Sequence, residues 1–284
     1  MIKLESVRFK YDDAEDYALD GVSLSAGPGT LVCVAGAERS GKTTLFRVLN
    51  GTAPRAFPGE LSGTVAVAGY DPSTRGHAAV GADVTSVFDD PDSQIVSLTA
   101  AEEVAFALVQ RGLDFAEIDR RVAEALDRVG LSGFADRHTA SLSGGQKQRL
   151  VMASALALKP RVLLVDEGTS ALDPEGSRDF FALVREATRR DGTTAVMIDR
   201  DFSLMAEFSD EIVVMGGGKV ALSGSPSEVC QRPELIRSLG LRLPLWLELA
   251  AELRGRGVLT GPLPASEEQT ISLLEPLARA RESA

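Results

Sequence analysis

Short runs of apolar residues recur along the chain, and helix-like stretches separate them. Residues 31–35 and 212–215 are apolar and largely β-branched, as strands buried on both faces of a parallel sheet are. Residues 45–49 continue at helical spacing after the first of these runs, and residues 175–190 predict a second helix before another strand at 193–198. The alternation of strands and helices predicts an α/β core.

Three regions around this core follow other patterns. Residues 2–26 alternate apolar and polar positions and predict two or three strands of an N-terminal antiparallel β subdomain. From about residue 95 to 158 the spacing becomes helical, which predicts a helical insertion between strands of the sheet. Residues 233–284 predict a small C-terminal helical extension with a Gly- and Pro-containing break at 255–264. The predicted domains are therefore 1–232 and the extension.

Composition and charge exclude several functions. The 284 residues carry a formal net charge of −11, which argues against a broad contact with nucleic acid and against recruitment by anionic lipid alone. Two cysteines, Cys33 and Cys230, give neither a disulfide framework nor metal-ligand spacing. No run approaches the roughly 18 apolar residues of a membrane span, and the N-terminus has no apolar signal core. We expect a cytoplasmic protein, at most peripheral at a membrane, where a protein partner holds it.

A glycine-bracketed loop after the first buried strand carries the clearest chemistry. Residues 36–44 read Gly-Ala-Glu-Arg-Ser-Gly-Lys-Thr-Thr, the spacing of a nucleotide phosphate loop in its strand-loop-helix context. An ordinary glycine turn is the alternative. Backbone N–H groups of such a loop point at an anion, and the helix N-terminus adds about half a positive charge. Lys42 is expected to reach the β- and γ-phosphates, and Thr43 to ligate Mg²⁺. The predicted nucleotide-binding residues here are Gly36, Arg39, Ser40, Gly41, Lys42, Thr43 and Thr44.

Other candidate positions lie before and after this loop. Tyr11 has two interpretations: its ring stacks on the purine base, or it packs at the sheet edge. Ser143 is expected to cap a helix that runs to about residue 158. The apolar strand at 161–165 ends in Asp166 and Glu167, and such a strand delivers both carboxylates to the edge of the sheet where ligands bind.

Together these segments resemble the ATP-binding-cassette (ABC) ATPases. The resemblance rests on the phosphate loop, on Leu-Ser-Gly-Gly-Gln at 142–146, and on the Asp-Glu strand. It implies a P-loop NTPase fold for residues 1–232 and a head-to-tail dimer that holds two ATP molecules, each between one subunit's phosphate loop and the other's Ser143–Gln146 segment. In this arrangement Ser143, Gly144, Gly145 and Gln146 contact the γ-phosphate. Asp166 holds Mg²⁺, Glu167 polarises the attacking water, and Asp173 communicates across the dimer.

A narrower resemblance is to the energy-coupling-factor ATPases, which drive uptake of vitamins and transition-metal ions. Residues 87–94, Val-Phe-Asp-Asp-Pro-Asp-Ser-Gln, are similar to the Val-Phe-Gln-Asn-Pro-Asp-Asp-Gln loop of that subfamily, and the C-terminal extension is similar to its tail. The implied partners are a second ABC ATPase subunit and membrane-embedded transport subunits. Docking is expected through the surface near Asp89 and the helical insertion.

Three positions depart from the family pattern. Asp89 replaces a glutamine, Gly168 replaces a proline, and Arg200 stands where the family has its switch histidine. Arginine stays protonated, so Arg200 is expected to bind the γ-phosphate as a fixed cation without positioning it well for attack. Asp89 remains a hard oxygen ligand for Mg²⁺ but adds negative charge beside a triphosphate. Asp89, Glu167 and Arg200 are the predicted catalytic residues of a site that binds ATP well and hydrolyses it slowly.

These departures leave more than one function open. The first hypothesis is the ATP-hydrolysing subunit of an energy-coupling-factor-type importer, acting as the degenerate half of an asymmetric ATPase pair. The alternative is a nucleotide-binding structural subunit with little hydrolysis of its own. A third hypothesis, a cassette ATPase acting on nucleic acid or cofactor assembly, fits the acidic charge and the importer-like tail least well. The sequence identifies neither the cargo nor the partner ATPase.

Overall fold

Two β-sheets and a set of α-helices make up residues 1–282, the part of the chain that the computed structural model describes. The strands of this part are β1 (Ile2–Tyr11), β2 (Leu19–Ala26), β3 (Leu31–Gly36), β4 (Gly59–Val67), β5 (Val84–Val87), β6 (Val162–Asp166), β7 (Thr194–Ile198), β8 (Glu211–Gly216) and β9 (Lys219–Gly224). Its α-helices are α1 (Lys42–Leu49), α2 (His77–Asp83), α3 (Ala100–Gln110), α4 (Phe115–Arg128), α5 (Gly144–Ala157), α6 (Pro174–Asp191), α7 (Phe202–Phe208), α8 (Pro226–Val229), α9 (Pro233–Ser238), α10 (Leu245–Gly255) and α11 (Glu267–Glu282).

The larger sheet has the strand order β5-β6-β7-β3-β8-β9, and its pairs are parallel except for β8 with β9. Strand β3 is central and its side chains alternate between two apolar clusters: Cys33 packs in one, whereas Val32 and Val34 pack in the other. Burial on both faces explains why this strand reads as a continuous apolar run.

The two clusters lie on opposite faces of this sheet. One contains α1 and the antiparallel sheet β2-β1-β4, and the other contains the insertion helices α3 to α5, helix α6 and the start of the extension. This arrangement confirms the predicted α/β fold with an N-terminal antiparallel subdomain, a helical insertion and a C-terminal helical extension. It also brings the loops after β3, β6 and β7 to one edge of the sheet, because these strands are parallel neighbours.

The extension packs onto the same apolar cluster as the insertion. Ile236, Trp246, Leu247 and Ala250 are all buried there. The domain boundary at residue 233 therefore remains a prediction.

The sequence did not anticipate α2 or α7, each only seven residues long. Among the described residues, no helix is both long enough and apolar enough to cross a bilayer.

Candidate nucleotide site

The phosphate loop joins the end of β3 to the first turn of α1. Gly41 has φ +103°, a left-handed conformation, and a Cβ on it would lie 2.6 Å from the backbone oxygen of Ala18. A Cβ on Gly36 would lie 2.7 Å from the backbone oxygen of Met215. Any side chain at either position would collide with backbone, so both bracketing glycines are required by the fold of the loop.

Lys42 lies in the centre of this loop. Its Nζ donates to the carbonyl oxygens of Gly36 at 2.7 Å and Ala37 at 2.8 Å. Burial lowers the pKa of Lys42. A cleft of about 230 Å³ beside it is lined by Ala18 and residues 39–44. The cleft therefore gathers the predicted residues Arg39, Ser40, Gly41, Lys42, Thr43 and Thr44, and it adds Ala18, which sequence reasoning missed because an alanine carries no chemical signal.

Tyr11 packs beside this site. Its ring stands edge-on to Phe9, with 4.8 Å between the ring centroids, and its hydroxyl lies 3.0 Å from the Thr44 hydroxyl. Arg47 donates to the same Tyr11 hydroxyl at 3.0 Å. These contacts support the packing interpretation of Tyr11, and stacking on a purine stays a prediction.

Two adjacent carboxylates follow strand β6. Burial, and after it the negative charges of Glu167 and Asp89, raises the pKa of Asp166 to about 6. A cation beside these carboxylates would relieve that repulsion, so the donor set fits Mg²⁺. Within the described part of the chain, however, no three His, Cys, Asp or Glu side chains lie close enough to hold a metal on their own. A bound Mg²⁺ would thus need oxygens from the nucleotide phosphates, as is usual for this ion.

The general-base candidate Glu167 is ion-paired to Arg200. Both Nε and Nη2 of Arg200 donate to Glu167 Oε1, at 3.1 and 3.0 Å, and Nη2 lies 3.0 Å from Oε2. Glu167 has φ +48°, and its backbone N–H donates to the Ile198 carbonyl at 2.9 Å. This bond joins the ends of β6 and β7, so the two strand ends hold the charged pair in place.

Asp199 fixes the backbone on the Arg200 side. This buried carboxylate accepts from the backbone N–H of Arg200 at 2.7 Å and from the Thr169 hydroxyl at 2.6 Å. Burial raises its pKa. Sequence reasoning missed Asp199 and Thr169. The available signal was the parallel pairing of β6 with β7, which places the residues after each strand side by side.

The structure explains why glycine follows Glu167. A Cβ on Gly168 would lie 2.6 Å from Val165 Cγ1 and 2.8 Å from two atoms of the Phe180 ring. Phe180 is almost fully buried in the core beneath this loop. It therefore occupies the space that a proline ring at position 168 would need.

The Leu-Ser-Gly-Gly-Gln segment begins helix α5. The Ser143 side chain accepts from the backbone N–H of Gln146 at 3.3 Å, and the Gln146 side chain accepts from the Ser143 N–H at 3.0 Å. This reciprocal capping box confirms the predicted helix start. Gly145 is close-packed, because a Cβ there would lie 3.2 Å from Leu172 Cδ2, and Gly144 faces Ala171 more loosely. Residues 143–146 do not line the cleft beside Lys42.

Asp173 also has a local structural role. Its carboxylate accepts from the backbone N–H of Gly176 at 2.7 Å and caps the N-terminus of α6. The loop that contacts Gly144 and Gly145 thus continues directly into a capped helix. The structure brings Asp173 near the Ser143 segment of its own chain, and its role across a dimer stays a prediction.

The segment that carries Asp89 is held from two sides. Gln148 on α5 donates to the Phe88 carbonyl at 3.3 Å, and Lys147 pairs with Asp92 at 2.5 Å. From the other side, the Ser170 hydroxyl donates to the Asp89 carbonyl at 3.4 Å. Asp89 therefore lies between the capped helix α5 and the loop that follows Glu167.

Comparison with known proteins decides the family. The chain matches the ABC transporter family over residues 19–170, more than half of its length. The chain belongs to the ABC transporter ATPases. Members of this family hydrolyse ATP in a reaction coupled to transport, and this ABC ATPase carries the phosphate loop and the Leu-Ser-Gly-Gly-Gln segment described above.

Relatives of this ABC ATPase align over most of its length. It is 36% identical to the energy-coupling factor transporter ATP-binding protein EcfA1 of Listeria monocytogenes, over 94% of this chain and 93% of the relative. It superposes with a TM-score of 0.75 and 33% identity on cbiO1 from Clostridium perfringens, part of the ABC transporter complex cbiONQ, covering 87% of this chain and 97% of that one. A dimeric ATP-binding cassette with bound ADP and Pi gives a TM-score of 0.70 at 27% identity, covering 79% of this chain and 98% of that one.

Proposed function

We propose that this ABC ATPase binds and hydrolyses ATP to power an energy-coupling-factor-type importer of vitamins or transition-metal ions, as the degenerate-site half of an asymmetric ATPase pair. The similarity to EcfA1 and cbiO1 supports the type of importer, as does the Val-Phe-x-x-Pro-Asp-x-Gln pattern at 87–94. The asymmetry is supported by this chain's own site.

One observation supports the proposed asymmetry above all: Arg200 donates hydrogen bonds to the carboxylate of Glu167. Glu167 has to accept a hydrogen from the attacking water, and in this chain its oxygens already accept from two guanidinium nitrogens at 3.0 and 3.1 Å. A histidine at position 200 is able to release its proton near neutral pH, but a guanidinium keeps its charge, and the bond to Glu167 raises the Arg200 pKa further. The pair therefore competes with the first step of hydrolysis.

The remaining site residues suit nucleotide binding. Lys42 is placed to contact phosphate oxygens, and Thr43 and Asp166 are the proposed Mg²⁺ ligands, with Asp89 as a third oxygen donor. Mg²⁺ would neutralise charge on the phosphates and orient them. Asp89 adds negative charge to the surroundings of Asp166, which further disfavours the developing anionic charge of hydrolysis at this site.

The Ser143 segment supports the other half of the proposal. Its capping box is complete, Gly145 is close-packed on Leu172, and Gly144 is in ordinary contact with Ala171. A helix start with this geometry presents N–H groups to an anion. We propose that Ser143, Gly144, Gly145 and Gln146 complete an active site on a second ABC ATPase subunit whose own base is not blocked, so a heterodimer is favoured over a homodimer.

An exposed apolar surface marks the proposed contact with the membrane-embedded transport subunits. Between residues 96 and 115, five large apolar side chains are more than half exposed: Val96, Leu98, Phe106, Val109 and Phe115. We propose that these side chains form one apolar surface, since exposed apolar patches mark protein contacts. Residue 96 follows the Asp89 segment along the chain, so docking there would place the chain at the cytoplasmic face of the membrane with its site next to the partner.

The second candidate is a nucleotide-binding structural subunit with little or no hydrolysis. Arg200 and Asp89 favour it, because both oppose turnover while leaving the phosphate loop intact. The retained Glu167 favours the ATPase. Under this candidate, ATP clamps the two subunits together and the partner alone performs hydrolysis.

The experiment that tests the proposal measures ATP binding and ATP turnover by the purified chain, at concentrations high enough to force self-pairing. We expect calorimetry to show Mg²⁺-dependent ATP binding that Lys42→Ala abolishes, together with slow turnover. Brisk turnover would overturn the degenerate-site assignment, and a symmetric ATPase would replace it. The structural-subunit candidate predicts background turnover in two measurements. The first uses this chain alone, and the second uses this chain combined with its partner ATPase after the general base of the partner has been inactivated.

A further inference from the structure

The C-terminal extension lies against the phosphate loop at the turn that follows helix α9. Helix α9 ends at Ser238, and Gly240 turns the chain in a left-handed conformation with φ +79°. A Cβ on Gly240 would lie 3.4 Å from the Ala37 Cβ, so the backbone of the extension lies against the phosphate loop. The Leu239 side chain covers Gly216 at the end of β8, where a Cβ would lie only 2.7 Å from Leu239 Cδ2.

A few residues later the extension touches the helix that follows Arg200. The Trp246 indole Nε1–H donates to the Ser203 hydroxyl at 3.2 Å, and Trp246 is only 8% exposed. Ser203 lies in the first turn of α7, three residues after Arg200. Between the two contacts Leu243 is buried in the core, so the segment is fixed along its length.

We infer that residues 239–246, here called the brace, form a positioning element of the ATP site that sets the phosphate loop relative to helix α7. The inference rests on the proposed function, because it assigns a role at the same ATP site. Closely packed segments transmit displacements instead of absorbing them. A displacement of the phosphate loop on ATP binding therefore reaches Trp246 through the brace. Trp246 in turn bonds to Ser203, and together they hold the backbone that carries Arg200. A tail that only covers the core would have no such coupling.

The strength of the coupling follows from the Trp246–Ser203 hydrogen bond. A neutral buried bond of this kind contributes about 1 kcal/mol, which corresponds to roughly a fivefold change in an equilibrium constant. Only the part of this energy that differs between the free and the ATP-bound chain changes ATP affinity, so removing the bond should weaken ATP binding by at most about fivefold without unfolding the chain.

Trp246 is the chain's single tryptophan, so tryptophan fluorescence reports on the surroundings of this residue alone. We expect Mg²⁺-ATP to change the Trp246 emission with the same midpoint that calorimetry gives for ATP binding. In Ser203→Ala the emission change should shrink and ATP affinity should fall about three- to fivefold. Trp246→Phe should lose similar affinity, and the double variant should lose no more than either single one, because both remove the same bond.

Two variants serve as controls. Ser238→Ala removes a hydroxyl that donates to the Leu235 carbonyl of its own helix, so it should leave the Trp246 emission change and the ATP affinity unchanged. Lys42→Ala should remove ATP binding and the emission change together. A melting temperature measured for each variant shows that it is folded, and if Trp246→Phe does not fold, the emission signal and Ser203→Ala decide.

ATP binding with no change in Trp246 emission and with wild-type affinity in Ser203→Ala would overturn the brace and leave the proposed function intact. Absence of ATP binding to the wild-type chain would overturn the proposed function, and the brace with it.

Discussion

Arg200 and Glu167 form an ion pair that we expect to affect the rate of hydrolysis more than the stability of the fold. The Arg200 side chain is 69% exposed, and exposed ion pairs contribute only about 0–1 kcal/mol to folding stability. Replacing Arg200 should therefore change the melting temperature little. The same pair places Nε and Nη2 of Arg200 on Oε1 of Glu167, the proposed general base, so its effect on rate is expected to be much larger than its effect on stability.

The residue-scale prediction is that Arg200→His raises ATP hydrolysis at this chain's own site. Histidine frees the Glu167 oxygens and restores a group that titrates near neutral pH, and a freed general base is worth about tenfold or more in rate. Turnover of the purified chain is the measurement. Arg256→His is the matched control, since Arg256 pairs with Glu252 of helix α10 in the extension and its change should leave the rate unaltered. An unchanged rate in Arg200→His would mean that Asp89 or another group limits hydrolysis.

At the scale of elements, helix α5 connects the Ser143 segment with the segment that carries Asp89. Its N-terminus presents the capped Ser143 segment, and one turn later Lys147 and Gln148 hold the segment that carries Asp89. A displacement of the Asp89 segment by a docked partner would move the N-terminus of α5 as well, because the helix is a rigid unit. The proposed docking contact and the proposed cross-subunit ATP site would thereby be joined through one element.

The element-scale prediction concerns the apolar surface next to this helix. Leu98→Asp combined with Phe106→Asp places two charges on side chains that are 72% and 51% exposed, so the fold should be preserved while docking is lost. We expect the variant to sediment with native membranes several-fold less than the wild-type chain. The matched control is Leu235→Asp with Leu249→Asp, two exposed apolar positions on the extension. Equal membrane binding by all three proteins would contradict docking through this surface.

The sequence predicts the local features of this site and not the long-range ones. The strand-loop-helix at Lys42 and the capping box at Ser143 depend on residues within a few positions of each other, so their spacing reveals them. The Arg200–Glu167 pair and the Trp246–Ser203 bond join residues separated by 33 and 43 positions. Sequence spacing carries no record of such contacts. The register of β6 against β7 creates the first, and the path of the extension creates the second.

At the scale of the whole molecule, the proposed asymmetric pair rests on two features of this chain: a capped Ser143 segment, and a proposed base, Glu167, whose carboxylate accepts hydrogen bonds from Arg200. In a head-to-tail pair the Ser143 segment and Glu167 of this chain would act on different ATP molecules, because each site takes its phosphate loop from one subunit and its Ser-Gly-Gly segment from the other. The pair would then hold one fast site and one slow site. Mutations in this chain should have unequal effects according to which site they reach.

The whole-molecule prediction compares two substitutions in the assembled complex, purified with its native partners. Ser143→Arg should abolish ATP turnover because it blocks the partner's site, whereas Glu167→Gln should lower turnover less than about twofold because it alters a site that is already slow. Ser141→Arg, two residues upstream at an exposed position outside the helix cap, is the matched control and should have little effect. Equal losses from Ser143→Arg and Glu167→Gln would contradict the asymmetric pair.

The packing of Phe180 against Gly168 has a consequence for how this chain can evolve. Proline at position 168 would collide with the Phe180 ring and with Val165, so this single substitution would disrupt the core. A smaller residue at 180 would have to come first, and on its own it would leave a destabilising cavity. The two positions form an epistatic pair, so Gly168 is hard to replace unless position 180 changes as well.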